Sequence, residues 1–112
     1  MEFDKYQELA DLTDQFADQT KEKNLMIPLL GLAGETGTLL SEFKKHLRDG
    51  ESYEGFSERA EEELGDVLWY LANLASRLGL SLSEVAAKNL SVICTILWDR
   101  IEGYCSFSRS AS

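Results

Sequence analysis

One proline, Pro28, interrupts 112 residues. Nowhere do apolar and polar residues alternate with the period of two that a half-buried strand requires. Helical periodicity is strong in four places instead. The first stretch runs from about Phe3 to Ala17, with Phe3, Tyr6, Leu9, Ala10, Thr13, Phe16 and Ala17 on one face. The second starts near Ile27-Pro28, where proline suits a first turn, and runs to about Leu47. The third spans about Ser57 to Leu78, and Gly79 is a good residue just past a helix end. The fourth starts at Ser81 or Ser83 and continues to about Ile101; Ser81 with Glu84 fits a capping box. The connections are short and polar, and there is no internal repeat. The pattern predicts an all-α fold, a four-helix bundle in one domain over residues 1–102. Residues 103–112 read as a flexible tail.

A chain of this length buries about two-thirds of its unfolded surface, enough for a core without disulfides. Acidic residues outnumber basic ones 20 to 11, for a formal net charge of −9. The basic residues do not cluster, so nucleic-acid backbones and anionic membranes are excluded as partners. A small polyphosphate remains open to an acidic protein when a divalent metal sits between them. Cys94 and Cys105 make no disulfide framework and no metal spacing. The single histidine, His46, has no Ser or Cys partner nearby in sequence. The charged start Met1-Glu2-Phe3-Asp4-Lys5 is no signal peptide, and no apolar run approaches membrane-spanning length. A reduced, cytoplasmic protein is the expectation.

The third helix contains Glu61-Glu62-Glu63-Leu64-Gly65-Asp66-Val67-Leu68-Trp69-Tyr70-Leu71. Its core stripe is Ala60, Leu64, Val67, Leu68, Leu71, Ala75 and Leu78. Glu63 sits roughly 90° from the stripe centre, with Asp66, Tyr70 and Arg77 on the same flank. Glu63 and Asp66 are i,i+3 neighbours, a like-charge pair that a divalent cation would turn from repulsive to favourable. The second helix has the apolar stripe Leu32, Leu39, Leu40, Phe43 and Leu47. Glu35, Thr38 and Glu42 recur at i, i+3 and i+7, again about 90° off that stripe. Side-by-side packing brings these acidic shoulders into one pocket of the kind magnesium prefers. The plain alternative is a pair of solvated helix flanks. Gly31, Gly34 and Gly37 each cost a helix about 1 kcal/mol relative to alanine. They point to close helix approach or room for a ligand, or else to a turn with the helix starting near Glu35. Trp69 lies roughly 150° from the core centre, too exposed for a monomer. It reads as a base-stacking residue or as a contact with another helix or subunit.

The segments Gly31-Leu32-Ala33-Gly34-Glu35-Thr36-Gly37 and Glu63-Leu64-Gly65-Asp66-Val67-Leu68-Trp69-Tyr70-Leu71 resemble the two signature segments of MazG-like nucleoside triphosphate pyrophosphohydrolases. That signature is Glu-x-x-Glu, a spacer, then Glu-x-x-Asp; here 24 residues separate position 38 from Glu63. The resemblance covers about residues 3 to 92. It implies a magnesium-dependent enzyme (manganese substituting) that cleaves a nucleoside triphosphate to a monophosphate and pyrophosphate, in a role such as nucleotide-pool cleansing. It also implies a homo-oligomer, dimer or tetramer. At matching positions the chain supplies Glu35, Glu63 and Asp66 as metal-binding and catalytic carboxylates. The second Glu of the first motif is Thr38 here, which adds no negative charge. Glu42, one turn further, is a candidate fourth ligand. Lys44, Lys45 and Lys88 are candidate phosphate contacts, and Tyr70 and Asn89 candidate base or sugar contacts. Because of Thr38 a second reading stays open: a nucleotide-binding or helical interaction module with impaired catalysis.

Overall fold

Residues 1–15, 20–50 and 53–97 are described by the computed structural model. They form α1 (Phe3–Leu12), α2 (Lys21–Asp49), α3 (Phe56–Arg77) and α4 (Leu82–Leu97), with no strand among them. The all-α class expected from periodicity is what the chain adopts. α3 is the hub: it packs along α2 and also meets α1 and α4, whereas α2 touches neither α1 nor α4. No single helix among the described residues is long and apolar enough to cross a membrane. The expected extension of the first helix to Ala17, the end of the fourth at Ile101, and the tail at 103–112 fall outside the described residues.

The end of α3 follows its sequence signals closely. Gly79 takes φ +70°. The Gly79 amide donates to the Ser76 carbonyl and the Leu80 amide to the Ala75 carbonyl, closing the last turn with the two bonds of a Schellman motif. Ser81 then caps α4, its hydroxyl accepting from the Glu84 amide at 3.3 Å. Gln7 on α1 holds this corner. Its amide donates to the Leu80 carbonyl and the Ser76 hydroxyl, and its carbonyl accepts from the Leu82 amide.

α2 departs from the expected boundaries. It begins at Lys21, so Pro28 sits inside the helix and is fully buried, not in the first turn. The physical reason lies four residues upstream. Proline has no N–H to offer the Asn24 carbonyl, and Arg77 Nη1 donates to that oxygen instead. Arg77 Nη2 pairs with Asp14, and both side chains are 8% exposed. One guanidinium thus ties the start of α2, the end of α3 and the segment after α1. The Gly31 to Gly37 stretch is helical throughout, which removes the turn alternative.

The core is built from small residues. Ala10, Ala72 and Leu82 form its centre, with Tyr6, Leu68 and Trp69 packed against it. Trp69 corrects its expected exposure. It is half-buried, and its Nε1–H donates to Thr13 Oγ1 at 2.8 Å. α1 covers a second face of α3, which a single-stripe reading of that helix misses. Much of the expected stripe stays uncovered by contrast: Leu40, Leu47, Leu64 and Leu78 are each more than half exposed. Cys94 is buried on α4 and disulfide-bonded, which corrects the expected reduced thiol at that position.

Removing the Arg77 guanidinium leaves the Asp14 carboxylate and the Asn24 carbonyl shielded without it. Breaking such a buried pair is costly because the Asp14 carboxylate loses its guanidinium in a shielded place. Arg77→Met is expected to destabilise the fold by about 3 kcal/mol, read as a lower urea midpoint with the slope unchanged. A loss within experimental error would show that the three segments are held by apolar contacts alone.

Candidate metal centre

α2 and α3 run antiparallel. Asn24 meets Arg77, Gly31 meets Tyr70, and Phe43 meets Phe56, so contacts descend α3 as they ascend α2. Gly31 permits the close approach. A Cβ there would fall inside the Tyr70 ring, which stands edge-on to Trp69 with centroids 5.1 Å apart. Gly34 and Gly37 face open space, and nothing in the structure explains them. In this register Asp66 lies across from Glu35, and Glu63 one turn nearer to Glu42.

The two acidic shoulders do converge. One carboxylate oxygen each from Glu35, Glu63 and Asp66 lie within 4.8 Å of one another, with Glu35 and Glu63 half-buried and Asp66 exposed. Glu63 Oε2 is buried without a hydrogen-bond partner. Burial, a hydrogen bond to Glu35 and the charges of Glu35, Asp66 and Glu42 push the Glu63 carboxyl above its ordinary value. Like charges this close favour the protonated form of the more buried acid. An unpartnered oxygen among three convergent carboxylates suits a hard divalent cation with waters filling its remaining positions.

Glu42 is 6% exposed, and both its oxygens are engaged. Lys45 Nζ donates to Oε1 at 3.0 Å and the Tyr53 hydroxyl to Oε2. These bonds, with the charges of Lys45 and Arg59, hold Glu42 below the usual carboxylate range. Tyr53 and Arg59 were not singled out from sequence. Tyr53 lies in a loop without periodicity, and Arg59 precedes Glu63 by four residues, a one-turn spacing that could have flagged it. Thr38 is exposed, and its hydroxyl donates to the Gly34 carbonyl one turn back, leaving the acidic trio without a fourth member at that position. Lys44 is exposed on α2. Lys88 and Asn89 are exposed on α4, a helix that does not touch α2, so a single chain does not bring them against the second motif's partner helix. Tyr70 sits one turn beyond Asp66, over Gly31.

The raised Glu63 has a definite pH signature. Folded, it binds its proton more tightly than at the ordinary value of 4.5. The stability that protonated Glu63 contributes is therefore present in acid and lost as pH rises through the folded value. Without metal, the melting midpoint is expected to fall as pH is raised above 4.5, the ordinary value of this carboxyl. Glu63→Gln should raise the midpoint in EDTA at pH 8 and flatten that dependence. It should also shrink the midpoint gain on adding magnesium. An equal gain in both proteins would remove Glu63 from the site.

Residues 19–93 match the MazG nucleotide pyrophosphohydrolase domain. The Gene 37 protein of Mycobacterium phage L5 is 42% identical over 64 residues, which make up 55% of this chain and 56% of that protein's length. No solved structure matches. The domain match takes in both acidic segments, and the helices carrying them bring the signature carboxylates together: the chain belongs to the MazG nucleotide pyrophosphohydrolase domain family.

Proposed function

We propose that this chain is a magnesium-dependent nucleoside triphosphate pyrophosphohydrolase, releasing a nucleoside monophosphate and pyrophosphate. The observation that carries the reading is the convergence of Glu35, Glu63 and Asp66, with Glu63 Oε2 buried and unpartnered. These three would hold magnesium, with manganese able to substitute, and Glu42 stands as the further acid of the site. When bound, the cation supplies charge neutralisation at the phosphate oxygens and a more acidic water. Glu35 is the group assigned to take the proton from the attacking water, since its carboxylate lies beside those of Glu63 and Asp66. Lys44 and Lys45, further along α2, are the assigned phosphate contacts, and Tyr70, one turn beyond Asp66, is assigned to base or sugar.

The same reading includes a homo-oligomer, dimer or tetramer. Support comes from apolar surface that one chain leaves open. Thr36, Leu39, Leu40, Phe43 and Phe56 line an apolar groove of about 420 Å³, and Val92 and Ile96 on α4 are 58% and 74% exposed. Contiguous apolar surface of this kind is normally covered in an assembly. Assembly would also give Lys88 and Asn89 a route to a site on another copy.

Asp66→Asn keeps shape and removes one charge from an exposed position. It is expected to abolish magnesium-dependent pyrophosphate release, assayed over common and damaged triphosphates, while the helical circular-dichroism signal stays intact. Activity surviving within a few-fold would exclude Asp66 as a ligand.

Position 38 favours a second reading, a nucleotide-binding module with impaired catalysis, because its hydroxyl is spent on the Gly34 carbonyl. Thr38→Glu separates the two. It adds a carboxylate at i+3 from Glu35, so the metal-free protein should lose a few tenths of a kcal/mol. With magnesium the sign should invert, and half-maximal activity should need less metal than in the wild type. An inactive wild type that gains pyrophosphate release on this substitution would establish the second reading. No change in metal response would place position 38 off the site.

A further inference from the structure

Glu42 has surroundings unlike those of the other three acids. It is a buried carboxylate, 6% exposed, outside the trio that converges on one point. Burying a carboxylate is unfavourable unless its oxygens are bonded and its charge is matched. The Lys45 ammonium that meets Oε1 is 47% exposed, so the pair is well screened and weak. The shielded partner is the Tyr53 hydroxyl on Oε2. Tyr53 belongs to the loop joining α2 to α3, eleven residues from Glu42, and the bond closes that loop onto the helix. Glu42 shares the α2 flank of Glu35 two turns on, lies one turn from Glu63 across the seam, and its charge acts on Glu63.

We propose that Tyr53 is a positioning residue: it clamps Glu42 as an outer carboxylate that accepts hydrogen bonds from the waters of a divalent cation held by Glu35, Glu63 and Asp66. The inference rests on the metal-dependent reading of that trio. Magnesium gives up its waters reluctantly and is bound largely through them. A carboxylate beside that hydration shell contributes charge and orientation without direct contact. Each Glu42 oxygen carries one bond from Tyr53 or Lys45 and keeps a lone pair for a further donor. Thr38 leaves the inner set one carboxylate short, which raises what an outer acid contributes. A rigid phenol suits the clamp, because the loop end is fixed by Gly55 at φ +87° and by the Tyr53 amide donating to the Gly50 carbonyl.

The test is calorimetric titration of the full chain with magnesium alone, together with melting curves in EDTA. Tyr53→Phe keeps the ring and removes one hydroxyl. It is expected to weaken magnesium binding by about tenfold, the usual loss when the partner that orients a metal-site ligand is removed. Glu42→Gln should cost at least as much, and the double variant should bind no worse than Glu42→Gln, because Tyr53 acts through Glu42. A staple that serves the loop alone would lower the midpoint in EDTA and leave the magnesium constant unchanged; that result overturns the proposal. So does a further loss on adding Tyr53→Phe to Glu42→Gln. Should the wild type itself take up no magnesium, the reading of the trio fails first and the clamp with it. That failure is distinct, since no variant is needed to see it.

Discussion

The Arg77 guanidinium sets where α2 lies against α3. Pro28 strips the Asn24 carbonyl of its helical donor, and Arg77 replaces that donor from the far end of α3. The same group holds Asp14, so three chain segments share one buried cation. An antiparallel helix pair can slide by a turn and still bury apolar side chains. A single carbonyl that only one guanidinium satisfies cannot tolerate that slide, because an unmet buried carbonyl costs about 1–3 kcal/mol. Three turns along, the register places Glu63 and Asp66 against Glu35. The Gly31–Tyr70 contact repeats the constraint halfway, since only a residue without Cβ accepts the ring.

That register works against the electrostatics it creates. Three acids are forced together, and one oxygen is buried without a partner. A fold selected for stability alone would separate them or pair them with lysine. Lys45 is one turn from Glu42 but serves that acid, not the trio. Glu63 sits high because it is buried among other acids, while Glu42, with two donors, sits low. Two glutamates on the same seam are thus shifted in opposite directions, Glu63 first by burial and Glu42 first by the Tyr53 hydrogen bond.

The periodicity of α3 was legible because its apolar and acidic residues keep a strict helical spacing, and Gly79 and Ser81 carry their termination and capping chemistry in their own side chains. The trio was legible for the same reason: i,i+3 spacing places two acids together on one helix whatever that helix packs against. What sequence spacing left unread depends on distant partners. The helical start of α2 before Pro28 needs a donor 53 residues away. The burial of Trp69 needs Thr13, 56 residues away. Tyr53 emerges only once the loop is closed on Glu42. The apolar stripes of α2 and α3 were read as core-facing, yet one chain does not cover Leu40, Leu47, Leu64 and Leu78. Periodicity reports which face is apolar and says nothing of what covers it.

Thr38 changes the balance of the proposed centre in a way that charge alone decides. A divalent cation among three carboxylates is neutralised less by its neighbours than one among four. It is therefore retained less tightly when empty of substrate. It also keeps more of its field for whatever else it touches, and a triphosphate brings its own negative oxygens. Loss of one inner acid thus shifts binding strength from the protein to the complex of metal with substrate. An outer carboxylate such as Glu42 moderates that shift, because it attracts the cation through water without occupying a position the phosphates need. Lys45 and Arg59 beside Glu42 limit the effect, since each offsets part of its charge. The arrangement of three inner acids, one clamped outer acid and two flanking cations is what this α2–α3 seam offers in place of four equivalent carboxylates.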